Sequence, residues 1–277
     1  MRVALTGATG LAGHPIADTL ARDGHEVITL GRRPSPLGLA NRSWRLGETP
    51  DLSGTDAVIH AAFSHAPGRY RGGEGDDPAT FLHLNREGSL RLVEAAGGRP
   101  LLFLSSRAVY GPRPAGTRLS EADAARPDTL YGRMKLEVES AVAASGGVSL
   151  RATGLFGPPP PGRDHKWRAL FADLAAGRPI VPRVGTEVHG GDLAKAIGLI
   201  LQGWPTAHRL YNVSDLVLDR RDLLAAYGRL AGLDGPLPAR ADAGRVNEMT
   251  TDRLRGLGWR PRGRDGLEET LAAIAGA

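Results

Sequence analysis

The opening residues MRVALTGATGLAG place a short apolar, partly β-branched run at 3–5 directly ahead of glycines 7, 10 and 13, and a helical pattern follows over 15–21. A strand, a glycine turn and a helix start, in that order, restrict what the rest of the chain can become. Gly7 permits a tight turn off the strand, Gly10 lets a backbone approach a pyrophosphate at the helix N-terminus, and Gly13 lets helix and strand pack closely. With 38 glycines in the chain a triplet alone carries little. Its position carries more, because a second strand follows one helix later, as a dinucleotide site requires. Gly7, Thr9, Gly10, Leu11 and Gly13 are therefore the residues expected to cradle phosphate.

The second strand is expected over 25–30, followed by Gly31, Arg32, Arg33 and Pro34. In dinucleotide folds an acid at this strand end accepts from the ribose 2′-hydroxyl, whereas arginine accommodates a 2′-phosphate. Gly31 stands where the carboxylate is expected, and Arg32 and Arg33 supply fork-shaped donors. A solvated loop in an arginine-rich chain is the alternative; the loss of the acid together with the gain of two cations favours NADP(H) over NAD(H).

Further along, strands are expected at 43–46, 56–63, 101–104 and 148–152, with an amphipathic helix over 81–96 and a clipped crossover after the third strand. Residues 64–77, which include His65, Arg69, Tyr70, Gly72, Gly73 and Gly75, form a loop at a strand's carboxyl end, where ligands bind. The alternation implies an α/β fold, a Rossmann-type doubly wound parallel sheet covered on both faces. Residues 158–161 are all proline and take the chain out of the sheet as a stiff segment. A helix over 167–176, an extended piece over 179–184, a helix over 192–201 capped by Asp192, and a returning strand at 211–213 follow. The expected division is a nucleotide-binding part, 1–157 plus about 186–216, and a small, mostly C-terminal substrate-binding lobe, about 158–185 plus 217–277.

Bulk composition narrows the class. Charged residues make up 23% and hydrophobic ones 41%, ordinary for a globular protein. The net charge of +5 comes from scattered arginines, and aromatics are only 5%, so no basic stripe with interleaved stacking residues points to nucleic acid. Cysteine is absent, and the eight histidines do not cluster at metal-ligand spacing, so no metal is expected. The first strand starts at residue 2, leaving no signal peptide ahead of it, and no apolar run approaches membrane length; a cytoplasmic protein is expected.

Tyr131 and Lys135 stand one turn apart at the head of a helix expected over 131–144. The strand at 101–104 delivers Ser105 and Ser106 to the sheet edge that the glycine loop occupies. Together these residues suit proton transfer coupled to hydride transfer. A phenol titrates near 10, too high for exchange at neutral pH, and a neighbouring ammonium favours its ionised form. Tyr131 is the expected general acid in reduction and base in oxidation, Lys135 tunes it, and a serine hydroxyl binds the substrate oxygen. His60, at a strand end, reads as a hydrogen-bonded core residue rather than a catalyst.

Taken in order, 6–13 (TGATGLAG), 60–62 (HAA), Asn85, 106–111 (SRAVYG), 131–135 (YGRMK), 151–158 (RATGLFGP), 189–192 (HGGD), 211–213 (YNV) and 257–261 (LGWRP) resemble the extended short-chain dehydrogenase/reductases, the NAD(P)-dependent epimerase/dehydratase family. The resemblance covers almost the whole chain. It implies that Lys135 also holds the nicotinamide ribose hydroxyls, that Asn85 shapes the site, and that Ala61, Ala62, Phe63 and Ser105 border the cofactor. It selects Ser106, four residues before Tyr110, as the catalytic serine. It implies a substrate cleft under the C-terminal lobe, with Ser64, Arg107, Arg163, Lys166 and Arg168 as substrate candidates, and a homodimer packed through the helices at 81–96 and 131–144.

Departures from the family pattern bear on the reaction. Dehydratases of the family carry acids after the serine position, where this chain has Arg107 and Ala108. Its epimerases hold NAD through an acid at the second strand's end, where this chain has Gly31. The expectation is an NADP(H)-dependent reductase or dehydrogenase acting on a carbonyl or secondary alcohol of a small polar molecule such as a sugar. A sugar or nucleotide-sugar epimerase is the alternative within the fold, and a non-catalytic dinucleotide redox sensor the alternative outside enzymes. Retention of Ser106, Tyr131 and Lys135 favours an enzyme.

Overall fold

The computed structural model describes residues 1–65 and 74–276. β1 (Arg2–Thr6) is buried from Val3 onward and ends at the glycine turn, from which α1 (Gly13–Arg22) runs back with Ile16, Ala17 and Leu20 turned inward. β2 (Glu26–Leu30) pairs parallel to β1, with Val3 opposite Val27, and β4 (Ala57–His60) takes the other flank of β1. Between them β3 (Asn41–Arg42) is a short edge strand beside β2. After β4, α2 (Pro78–Leu82) passes through a single π-turn, His83–Glu87, into α3 (Gly88–Ala96). β5 (Leu101–Ser106), α4 (Leu130–Ala144) and β6 (Val148–Ala152) follow.

β7 (Gly154–Phe156), α5 (Arg168–Ala175) and β8 (Val184–His189) then lie outside the main sheet, and α6 (Gly190–Gln202) leads back to it with β9 (Leu210–Val213). The chain ends with β10 (Leu216–Asp219), α7 (Arg220–Ala231), α8 (Asp252–Gly256) and α9 (Arg264–Ala275). The main sheet is 7-stranded in the order β3-β2-β1-β4-β5-β6-β9, and every pairing in it is parallel. A second, 3-stranded sheet runs in the order β10-β8-β7.

Alternation along the strands explains the doubly wound form. Val3 and Leu5 pack with α1 and α6 residues such as Ile16 and Ile197, while Ala4 points to the other face, against Leu92 of α3 and Met134 and Val138 of α4. A third core gathers around Phe156, Phe171, Leu223 and Leu267, beside the 3-stranded sheet. Among the described residues no helix is long and apolar enough to cross a membrane.

Several elements differ from the sequence reading. The third strand is Asn41–Arg42 rather than 43–46; Trp44 N still donates to Gly31 O at 3.4 Å, while its side chain is buried on the α3 side with the indole N–H donating to Glu48 O at 2.9 Å. No helix joins β3 to β4, as the short spacing suggests. The extended piece expected at 179–184 becomes a strand only from Val184, where β7 and β10 supply partners. Asp192 is not the cap of α6. His189 is, its Nδ1 accepting from Gly191 N at 2.9 Å, while the fully buried Asp192 accepts from Arg262 N and Nε.

Glycine is obligatory at one of these joints. A Cβ on Gly13 would lie 2.1 Å from Gly7 O, whereas one on Gly256 would meet nothing within 4 Å. Gly13→Ala is expected to lower the unfolding free energy by about 2 kcal/mol or more through overpacking. Gly256→Ala is expected to leave it unchanged or raise it by up to about 1 kcal/mol through helix propensity. Urea denaturation of the two variants beside the parent measures the contrast.

Candidate functional site

At the edge formed by the carboxyl ends of β1, β2, β4 and β5, one hydroxyl joins β1 to β4. Thr6 Oγ1 accepts from Ala61 N at 3.1 Å and Ala62 N at 3.0 Å, and lies 2.8 Å from His60 Nδ1. His60 Nε2 lies 2.8 Å from Ser89 Oγ, which donates to Asn85 O. With both lone pairs of Thr6 engaged by amides, its proton goes to Nδ1, and Nε2–H donates to Ser89; the tautomer follows from the partners. Burial, seconded by the charge of Lys135, drives the imidazole down to about 3, so it is a neutral connector.

Above this anchor sits the glycine turn. Gly7 has φ +75, and a Cβ there would lie 2.8 Å from the Ala61 and Ala62 backbone, so the turn can follow β1 closely only as glycine. A Cβ on Gly10 would meet protein only at Gly7 O, 3.3 Å away, which leaves its outer side open. The N-cap of α1 is Ala12, with no capping side chain and no acid in the first turn. His14 N already donates to Gly10 O at 3.0 Å and Pro15 has no N–H, so the amides placed to meet an external anion are those of Leu11 to Gly13. These features fit the pyrophosphate of a dinucleotide, held by Gly7, Thr9, Gly10 and the backbone of Leu11 to Gly13.

A pocket opens beside the turn, walled by Gly7, Ala8 and Thr9 on one side and by Thr29, Leu30, Gly31, Arg32, Arg33 and Asn41 on the other. Asn41 braces the far wall, its Oδ1 accepting from Thr29 Oγ1 at 2.9 Å and its Nδ2 donating to Gly31 O at 3.4 Å. Among the described residues the Arg32 and Arg33 guanidiniums have no hydrogen-bond or ion-pair partner. Another pocket lies between α7 and α9, lined by Leu218, Arg229 and Leu267 of the lobe, and shares no residue with this edge.

The structure brings Ser106, Tyr131 and Lys135 to the same edge. Ser106 ends β5 and caps the turn Arg107–Tyr110, accepting from Ala108 N at 3.2 Å. Gly132 lets the first turn of α4 press on that turn; a Cβ there would lie 2.8 Å from Ala108 O. Lys135 is buried, donates to Leu104 O at 2.8 Å, and has its ammonium 4.5 Å from the Phe103 ring centroid, 5.1 Å from Phe63 and 5.9 Å from Tyr131. Burial lowers it to about 7, outweighing the opposing pull of Glu139. Phe63 packs edge-on to Tyr131 at 5.2 Å. Asn85, in the π-turn, clamps the Ser64 backbone from both sides: its Oδ1 accepts from Ser64 N at 2.7 Å and its Nδ2 donates to Ser64 O at 2.8 Å. The π-turn sits at this clamp, a location that such bulges favour.

Ser105 and Ser106 part ways. The Ser105 hydroxyl turns inward and donates to Glu139, which a bidentate ion pair ties to Arg151, Nη2 to Oε2 at 2.7 Å. The Arg151 guanidinium stacks 4.5 Å from the Tyr110 ring, and Tyr110 OH reaches Asn212 Oδ1 at 2.8 Å. Sequence reasoning passed over Glu139; its signal was a second charged residue one turn beyond Lys135, on the buried side of α4.

The other expected residues scatter. Arg107 donates to Asn247 O at 2.9 and 3.2 Å, tying the site to the C-terminal segment. Lys166 pairs with Glu187 at 2.5 Å, and Arg168 with Asp164 at 2.6 Å on an exposed turn. Arg163 joins the wall of the Arg32 and Arg33 pocket. Arg69, Tyr70, Gly72 and Gly73 lie outside the described residues.

Comparison with known proteins agrees with this architecture. Residues 3–214 match the NAD dependent epimerase/dehydratase family. The chain belongs to that family. It is 31% identical to a 3-diazoavenalumate denitrifying reductase of a Streptomyces species, across 96% of this chain and 99% of that one. Identity to a dTDP-4-dehydrorhamnose reductase of Mycolicibacterium smegmatis is 26%, across 100% of this chain and 86% of that protein. The solved UDP-glucose 4-epimerase of Thermus thermophilus, in complex with NAD, is similar over 100% of both chains, with a TM-score of 0.80 at 27% identity. This member of the epimerase/dehydratase family therefore has a Rossmann-like core with named reductases and epimerases among its relatives.

The His60 connector gives the family member a specific pH response. Its imidazole is neutral down to about 3 when folded but titrates near 6.5 when unfolded. Between those values the unfolded chain binds more protons, so this group's stabilisation is present above 6.5 and is lost as pH falls toward 3. His60→Gln is expected to be less stable at about pH 7.5 yet to show a shallower decline between about pH 6.5 and 4. Urea midpoints across that range read it; an unchanged slope refutes the neutral connector.

Proposed function

We propose that the protein is an NADP(H)-dependent oxidoreductase that interconverts a carbonyl and a secondary alcohol on a small polar, sugar-like molecule. The observation that carries the cofactor preference is the far wall of the adenosine-side pocket: Gly31 stands in place of an acid, and Arg32 and Arg33 have no partner there among the described residues. Two relatives named as reductases support net reduction, and the one named for dTDP-4-dehydrorhamnose supports a sugar substrate.

The residues of the glycine turn would hold the dinucleotide, which when bound would supply or receive the hydride. Tyr131 gives its phenolic proton to the substrate oxygen in reduction and takes it back in oxidation, while Ser106 donates a hydrogen bond to that oxygen. Lys135 favours the phenolate by its charge, and as an ammonium lowered to about 7 by burial it is also poised to hold ribose hydroxyls. Asn85 acts on the cleft wall through the Ser64 backbone. A homodimer through α2–α3 and α4 belongs to the same reading. Arg86 and Glu137 pair across these helices within one chain, and among the described residues the exposed large hydrophobics Met1, Val181, Leu230 and Leu257 lie elsewhere.

The likeness to a UDP-glucose 4-epimerase in complex with NAD favours one second reading, epimerisation on a retained NAD. Fluorescence titration of purified protein with NADPH and NADH, after a check for copurified nucleotide, separates the two. NADPH is expected to bind at least about tenfold tighter, some 1.4 kcal/mol, and to exchange freely. NADH binding as well, or NAD arriving bound, moves the reading to epimerisation. Tyr131→Phe is expected to cut turnover by about a hundredfold or more with NADPH binding intact; retained activity sinks the acid–base role.

A further inference from the structure

The loop after the proline run carries Arg163, Lys166 and Arg168 close together in sequence, yet the structure uses them differently. Lys166 is neutralised by Glu187 and Arg168 by Asp164, whereas the Arg163 guanidinium, among the described residues, has no hydrogen-bond or ion-pair partner. It lines the pocket that Arg32 and Arg33 wall from a distant part of the chain. The loop shapes this approach: Arg163 N donates to Pro160 O at 3.0 Å, closing a turn on a segment whose prolines limit its freedom. Gly162 enters that turn at φ +72.

Like charges gathered around one small pocket repel unless an anion joins them. Among the described residues no carboxylate lines this pocket, while Arg32, Arg33 and Arg163 all do. The pyrophosphate belongs at the N-terminus of α1, on the Gly10 side of the turn. An anion that meets the end of β2, Asn41 and Arg163 together sits on the ribose side instead, where only a 2′-phosphate places a doubly charged group.

We propose that Arg163 is a cofactor-specificity residue, which closes the 2′-phosphate site from the substrate-lobe side opposite Arg32 and Arg33. The assignment moves Arg163 from substrate to cofactor, and it rests on the NADP(H) reading above. It also makes the proline-rich loop a sensor of cofactor identity, since the segment that leaves the nucleotide-binding sheet for the lobe ends on the phosphate that separates NADPH from NADH.

Arg163→Ala and Arg163→Lys test it, with NADPH, NADH, 2′,5′-ADP and inorganic phosphate as probes in fluorescence titration and calorimetry. Arg163→Ala is expected to weaken NADPH and 2′,5′-ADP by about tenfold, the scale of one charge-assisted contact, and to leave NADH within about twofold. Arg163→Lys is expected to fall between. Equal losses for NADPH and NADH overturn the assignment, since the contact then lies on the shared part of the nucleotide; no loss for either overturns it as well. Inorganic phosphate binding with the affinity of 2′,5′-ADP assigns the pocket to the free anion and overturns it too. Failure of the cofactor reading itself looks different, because wild type then fails to distinguish NADPH from NADH before any substitution is made.

Discussion

The Thr6 hydroxyl is the contact on which the site depends. It takes the Ala61 and Ala62 amides at the end of β4 and gives its proton to His60, so the carboxyl ends of two central strands are joined side chain to backbone. Those two amides are the groups that a parallel ladder leaves over when a strand stops, and unpaired they would each cost about 1–3 kcal/mol. The same hydroxyl places the glycine turn and the β4 loop at contact distance. His60 then carries the constraint to Ser89 and, through it, to the π-turn that holds Asn85.

Burial, rather than pairing, sets the electrostatics of the neighbouring edge. Lys135 loses water, gains one carbonyl and a set of ring faces, and falls to about 7 despite Glu139 one turn away. Ring faces favour a desolvated cation by about 2 kcal/mol or more, yet burial still lowers the group. Glu139 is largely committed elsewhere, to Arg151 and Ser105, so its charge serves a buried pair beneath the site rather than the lysine. Removing one member of such a pair strands a buried charge, which is why this layer behaves as scaffold for the residues above it.

The order of elements was legible because hydrophobic patterning and glycine spacing are local properties. Residues 3–5, the glycines at 7, 10 and 13, and Val148–Ala152 each read correctly from neighbours in sequence. Tyr131, Lys135 and Ser106 were legible as residues that reach one sheet edge. Patterning missed β7 and β10 and began β8 too early, because short strands of a second sheet exist only through one another: Gly154–Phe156 and Leu216–Asp219 have no pattern that separates them from loop until Val184–His189 lies between them. Asp192 was misread as a cap because its demand for a partner was met by Arg262, far along the chain.

The sequence by itself determined the family and the parallel α/β core, and it set a tyrosine and a lysine one turn apart, since each rests on spacing within a turn or a strand. Tertiary structure decided the rest. It turned Ser105 inward to Glu139 and left Ser106 at the edge, made His60 a neutral connector, and gave Lys166 and Arg168 counter-ions while setting Arg163 beside Arg32 and Arg33. Which charges find partners depends on residues distant in sequence, and no local pattern encodes that distance.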